Sequence, residues 1–200
     1  GHHEAAAGVY RQAIAHSPRS IEAHRGFQDA AQGTALYSDT IADFYHRLAE
    51  DSIHVSLYSY LYGRCLPCSL GTKMFLYLIE QESCNQHALS AAGVCAFESG
   101  KQRKAKQYFL KAIKCAPDFA AAYHNLARVY LAEKSVKRAK KVYRKLIERD
   151  RADPASYDWL GDLYLDVKEY TFAALAYEKS LDKAAVSPMV AFKAGYARFM

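Results

Sequence analysis

The chain has 200 residues, 51% of them hydrophobic, with 27 Lys and Arg against 21 Asp and Glu for a formal net charge of +6. That apolar content supports a buried core and argues against a disordered chain. No apolar run approaches the roughly 20 residues that a bilayer-crossing helix needs, so a membrane span is not expected.

The start, Gly1-His2-His3, has neither the basic nor the apolar region of a signal peptide and resembles the stub of a histidine tag. The apolar spacing that follows predicts helices over 4–16, 21–33, 37–51, 53–64, 67–82, 86–99, 102–116, 120–133, 136–150, 154–167, 170–184 and 188–199. No segment alternates with period two over a strand's length. Phe27, Phe44 and Leu48 keep helical spacing in the N-terminal half, and Leu57-Tyr58-Leu61-Tyr62 continues the apolar face. Gly100 falls in a turn between paired helices. Pro154 and Pro188 sit at first-turn positions, where a missing N–H costs nothing, with Asp153 and Ser187 before them as N-caps. The last residues, Arg198-Phe199-Met200, lie inside a helical pattern, so the sequence reads as a piece of a longer protein.

A step of 34 residues organises the C-terminal half. Ala105, Ala139 and Ala173 stand one step apart, as do Phe109, Tyr143 and Tyr177. Gly93, Ala127, Gly161 and Gly195 form a third row, and Ala92, Leu126, Leu160 and Ala194 a fourth. Small residues let two helices of a hairpin approach closely, and the aromatic of the second helix fills the space between neighbouring hairpins. The N-terminal half keeps this only in part. Ala6, Tyr10, Ala13 and Pro18 read as the second helix of a truncated repeat, and Pro18 to Pro117 is three residues short of three full periods.

The order Tyr157, Leu160-Gly161, Tyr164, Ala173, Tyr177 resembles the tetratricopeptide repeat, as do Tyr123, Leu126-Ala127, Tyr130, Ala139, Tyr143 and the copy Leu89, Ala92-Gly93, Ala105, Phe109, Pro117. The resemblance implies an all-α fold, a right-handed α-solenoid of antiparallel helix pairs with about twelve helices. It divides one repeat domain over 1–200 into a truncated repeat (1–19), degenerate repeats (20–85), three well-formed repeats (86–187) and the start of a further helix (188–200).

In that family the first helices line a concave groove that accepts an extended or helical segment of a partner protein. The register assigns the groove to His87, Ser90, Val94 and Phe97; to Ala121, His124, Asn125, Arg128 and Leu131; to Ala155, Asp158, Asp162 and Leu165; and to Phe192 and Tyr196. Arg128 with His124 could hold a carboxylate or phosphate, and Asp158 with Asp162 a lysine or arginine. Some members grip chaperone C-termini with a clamp of Lys, Asn and Arg. Asn125 and Arg128 match it loosely, while Ser90, Val94, Asp158 and Asp162 depart from it.

Charge is uneven. Residues 101–151 hold 16 Lys and Arg against 4 Asp and Glu. Most lie on two successive second helices: Lys101, Arg103, Lys104, Lys106 and Lys111, then Lys137, Arg138, Lys140, Lys141, Arg144 and Lys145. Second helices resemble the outer, convex wall of such a solenoid. This basic wall reads first as a solvated face and second as a surface for an acidic partner. Without an RNA-binding signature or interleaved aromatics, nucleic acid is disfavoured.

Cys65-Leu66-Pro67-Cys68, with Cys84 and His87, has a spacing close to a zinc ribbon. One helix over 69–82 would hold the two pairs roughly 20 Å apart, so no metal and no other cofactor is expected. The same Cys-x-x-Cys lacks the βαβ setting of a redox motif. With Cys95 and Cys115 the cysteine count is odd, and most sit among apolar residues; free thiols in the cytoplasm, or in the nucleus, are the expectation. Most tyrosines fall on packing positions. No catalytic motif is present, and His16, His24, His46, His54, His87 and His124 are scattered. The expected function is a non-enzymatic interaction scaffold within a multiprotein complex, with homo-oligomerisation open. The alternative is a regulatory or targeting segment of a larger enzyme.

Overall fold

A computed structural model of the chain describes residues 2–31, 45–46, 55–148, 154–183 and 187–200. Eleven helices and no strand occur among the described residues. They are α1 His2–His16, α2 Ile21–Ala31, α3 Val55–Cys65, α4 Cys68–Gln81, α5 Gln86–Glu98, α6 Gln102–Cys115, α7 Ala120–Ala132, α8 Val136–Ile147, α9 Pro154–Asp166, α10 Tyr170–Lys183 and α11 Pro188–Phe199. The helix expected over 37–51 lies outside the described residues apart from Tyr45 and His46, which are helical. Phe44, Leu48, His54 and Asp153 also lie outside them. The elements group into two units, Gly1–Cys95 and Ala96–Met200, with α5 running across the boundary.

In the first unit α1 packs on α2 and α3 on α4, and α2 touches α3. Gly26 lets the Tyr10 ring lie against the α2 backbone; a Cβ there would stand 2.2 Å from a ring carbon. His24 is 1% exposed, its Nε2 lying 2.9 Å from the Pro18 carbonyl and its Nδ1 3.0 Å from the Tyr45 hydroxyl. Gln28, also buried, donates to the Leu61 carbonyl at 2.8 Å and accepts from Arg64 Nε at 2.9 Å, which ties α2 to α3. These buried polar groups hold hydrogen bonds, as their desolvation requires.

Cys68, at the start of α4, is disulfide-bonded to Cys95 of α5. This corrects the expectation of free, hydrophobe-like thiols at these two positions. Spacing along one chain does not reveal that an α4 cysteine and an α5 cysteine meet, with Cα atoms 5.2 Å apart.

The second unit shows why the period is 34. Gly100, Lys134 and Lys168 all have positive φ, 73°, 56° and 60°. The next residue in each case donates its N–H to the carbonyl five residues back: Lys101 to Ala96, Ser135 to Tyr130 and Glu169 to Tyr164, all at 2.8 Å. This left-handed stop satisfies the last carbonyls of a helix and turns the chain back on itself. It makes hairpins of α7 with α8 and α9 with α10. Ala139 and Ala173, each 0% exposed, allow the close approach, and Tyr143 and Tyr177 fill the space above. At Gly161 a Cβ would stand 2.5 Å from the Tyr177 ring.

α8 has the sharpest division of faces. Ala139, Tyr143 and Leu146 are buried, while Lys137, Arg138, Lys141, Arg144 and Lys145 lie on the opposite, solvent-facing side. Pro188 occupies the first turn of α11 as expected, but the Ser187 side chain makes no capping hydrogen bond.

Candidate functional site

Successive first helices of the second unit lie side by side. α7 touches α9, and α9 is tied to α11 by Lys193, whose ammonium donates to Asp158 Oδ1 and Asp162 Oδ2, both at 3.1 Å. The 34-residue step therefore stacks two rows across this face: His124, Asp158 and Phe192 in one, Arg128, Asp162 and Tyr196 in the other.

Within these rows the residues have different tasks. The His124 ring stacks on Trp159 of α9 at 4.3 Å between centroids, and its Nδ1 lies 2.8 Å from the Tyr143 hydroxyl. Burial first, then the nearby Arg128 charge, push its pKa down to about 4, against the pull of Asp162. His124 is thus neutral at pH 7 and serves as a packing group, not as a cationic anchor beside Arg128. Burial and the Asp162 charge raise the Tyr143 hydroxyl in turn.

Asp158 and Asp162 are already occupied. Besides Lys193, Asp162 Oδ1 accepts from the Tyr177 hydroxyl at 2.7 Å. Burial would lower the Lys193 pKa, yet its hydrogen bonds to Asp162 and Asp158 outweigh that and raise it. The cation foreseen for this carboxylate pair is supplied by the chain itself.

Arg128 differs. It is exposed, its guanidinium lies 5.7 Å from the Phe97 ring centroid, and Nη1 donates to Asn125 Oδ1 at 3.4 Å. No carboxylate among the described residues pairs with it. Phe192 and Tyr196 on α11 are 70% and 44% exposed. In the first unit, Ser90 is only 6% exposed and does not offer its hydroxyl to a partner. The His87 ring packs against Tyr60 at 5.6 Å, and burial, then Arg25, lower its pKa.

The second helices carry the basic wall. Lys101, Arg103, Lys104, Lys141, Arg144 and Lys145 are exposed, and Lys137 and Arg138 lie beside them on α8. Lys140 is engaged, 2.6 Å from Glu169 and over the Tyr164 ring, and Arg144 donates to the Tyr164 hydroxyl at 3.2 Å. Among the described residues no group of three His, Cys, Asp or Glu could hold a metal. Of the four residues with ribbon spacing, Cys68 is committed to Cys95. No helix among the described residues is long and apolar enough to cross a membrane.

Sequence reasoning missed Trp159 and Lys193. They share one row with Asn125, one residue past the His124 row, so the same period would have placed them on this face.

Residues 96–163 match the tetratricopeptide repeat family, a span that holds the left-handed stops at Gly100 and Lys134. Over that span the chain carries tetratricopeptide repeats. Solved structures share the repeat fold along most of its length. A thermophilic tetratricopeptide-repeat protein of Thermus thermophilus superposes with a TM-score of 0.69 at 15% identity, covering 99% of this chain and 100% of that one. A tetratricopeptide-repeat protein of Parabacteroides merdae gives 0.64 at 16% identity, covering 99% and 78%. MamA of Desulfovibrio magneticus gives 0.52 at 18% identity, covering 79% and 84%. No curated protein matches the sequence. The likeness is one of helical repeat fold.

Proposed function

We propose that this repeat protein takes an extended or helical segment of a partner protein on the first-helix face of α7, α9 and α11. The carrying observation is Arg128: an exposed guanidinium, braced by Phe97 and Asn125, with no carboxylate of its own among the described residues. A planar donor fork held in place this way suits a partner's carboxylate. Phe192 and Tyr196, further along the same rows, suit an apolar side chain of the same segment. No cofactor takes part in this reading.

The Cys68–Cys95 disulfide favours an oxidising compartment over the cytoplasmic one expected from the cysteine count. Membership of a multiprotein complex follows if the partner segment belongs to one.

Selection of a displayed peptide library on the chain tests this function. Enriched peptides should share an acidic residue and an apolar residue, and should bind Arg128→Ala about tenfold more weakly. Peptides that bind Arg128→Ala and Tyr196→Ala as tightly as the parent would place the site elsewhere.

A further inference from the structure

The second helices hold a different feature, a pocket of about 310 Å³ bounded by α6, α7 and α8. Its floor is apolar: Ile113 and Leu126 are 8% and 3% exposed, with Val142 beside them and Leu110, 51% exposed, at the mouth. Its rim along α8 is basic. Arg138, Lys141 and Lys145 recur at i, i+3 and i+7, which puts them on one helix face. None of the three pairs with a carboxylate among the described residues, whereas Lys106 on α6 and Lys140 on α8 pair with Glu133 and Glu169.

Repeat packing does not require this arrangement. One period later the positions of Arg138 and Lys141 are Phe172 and Leu175, and the hairpin there closes equally well on Ala173 and Tyr177. Arg138 and Lys141 are therefore not demanded by the repeat, though Arg138 also lies over the Tyr130 ring.

We propose that this pocket accepts an acidic peptide segment, one apolar side chain entering it while flanking Asp and Glu residues meet Arg138, Lys141 and Lys145. The volume lies at the lower end of ligand sites, about 300–1,000 Å³, which suits an anchoring side chain better than a whole cofactor. Surplus positive charge over residues 101–151 supplies complementarity and steering toward an acidic partner. Nucleic acid fits less well. Of the two aromatics in the lining, Tyr123 is 1% exposed and Tyr130 already has Lys106 and Arg138 over its ring, so neither offers a free platform for a base. A membrane surface fits less well too, because Leu110 is the one strongly exposed apolar side chain of the lining and the rest of the apolar floor is recessed.

The test is fluorescence anisotropy with a labelled peptide in which Asp and Glu flank a central Leu. The comparison ligands are the same peptide with Ser for Leu, a single-stranded oligonucleotide of equal charge, and phosphatidylserine vesicles. The parent chain should bind the Leu peptide best. Lys141→Glu with Lys145→Glu should weaken it about tenfold, two exposed charge contacts being reversed. Leu110→Ser should weaken the Leu peptide while leaving the Ser peptide unchanged. All three positions lie at the surface, so the variants should melt like the parent. Equal binding of the Leu and Ser peptides, or tighter binding of the oligonucleotide or the vesicles, would overturn the proposal. Lys141→Glu with Lys145→Glu and Leu110→Ser leave the Arg128 face intact, so a Leu peptide that binds these variants as tightly as the parent but is lost with Arg128→Ala sits on that face and overturns the proposal.

Discussion

Lys193 on α11 lies 2.8 Å from Asp162 on α9, and this pair, with Asp158 at 3.1 Å, joins one repeat to the next. All three carry side-chain exposures below one half, so the charges are partly desolvated. Removing one partner of such a cluster costs more than the pair contributes, because the others stay behind uncompensated. Lys193→Met should lower stability by about 1–3 kcal/mol in denaturant unfolding. Asp158→Asn with Asp162→Asn in the same background should recover part of that loss. A Lys193→Met chain with unchanged stability would make the cluster a surface ornament.

The turns offer a gain. Lys134 and Lys168 adopt the left-handed conformation that costs a side-chain-bearing residue about 1 kcal/mol, while Gly100 adopts it without that cost. Lys134→Gly and Lys168→Gly should each stabilise the chain by about 0.5–1 kcal/mol, and Gly100→Ala should destabilise it by a similar amount. Thermal melts of the three variants check the signs.

Gly161 and Gly195 occupy one row but meet different surroundings. A Cβ at Gly161 would strike the Tyr177 ring, whereas one at Gly195 meets nothing within 4 Å. Gly161→Ala should destabilise by about 1–3 kcal/mol through overpacking. Gly195→Ala should be neutral or stabilising by up to about 1 kcal/mol, the helix-propensity difference.

Acid should weaken the fold through its histidines. Unfolded, His124 takes up a proton near pH 6.5; folded, it does so only near pH 4. Between those values the unfolded state binds more protons, so stability falls as pH drops from 6.5 toward 4. Burial lowers His24 and His87 in the same direction. His124→Gln should flatten the decline in Tm over this interval. A slope unchanged by the substitution would mean that the His124 ring titrates normally in the folded unit.

The Cys68–Cys95 bond joins residues 27 apart in sequence, a loop for which chain-entropy arguments give about 3–4 kcal/mol. Cys95→Ser should lower Tm, and peptide mapping without reductant should recover the 68–95 linkage. Purification with Cys68 and Cys95 both reduced and no loss of stability would return the chain to a reducing compartment.

The repeat core was legible because its rows depend on residue size alone: Ala139 and Ala173 against Tyr143 and Tyr177 follow from one period and one packing rule. Arg128 is exposed, as its place in the register suggested. What the register does not encode is the contact between rows. Asp162 looks open to a partner until Lys193, one repeat later, is seen to reach back to it. His124 looks like a cation until Trp159 covers its ring. Ser90 sits in a groove row yet is buried. The Cys68–Cys95 bond joins different elements and has no periodic signature.

Photo-crosslinking tests the central claim most directly. A benzophenone amino acid placed at Arg128 or Tyr196, and in a control at exposed Lys104, is irradiated in the native host's extract, and adducts are read by mass spectrometry. The account predicts that both first-helix positions label the same segment of one partner protein, and that Lys104 does not. Labelling of that partner from Lys104 alone, with none from Arg128 or Tyr196, would contradict it.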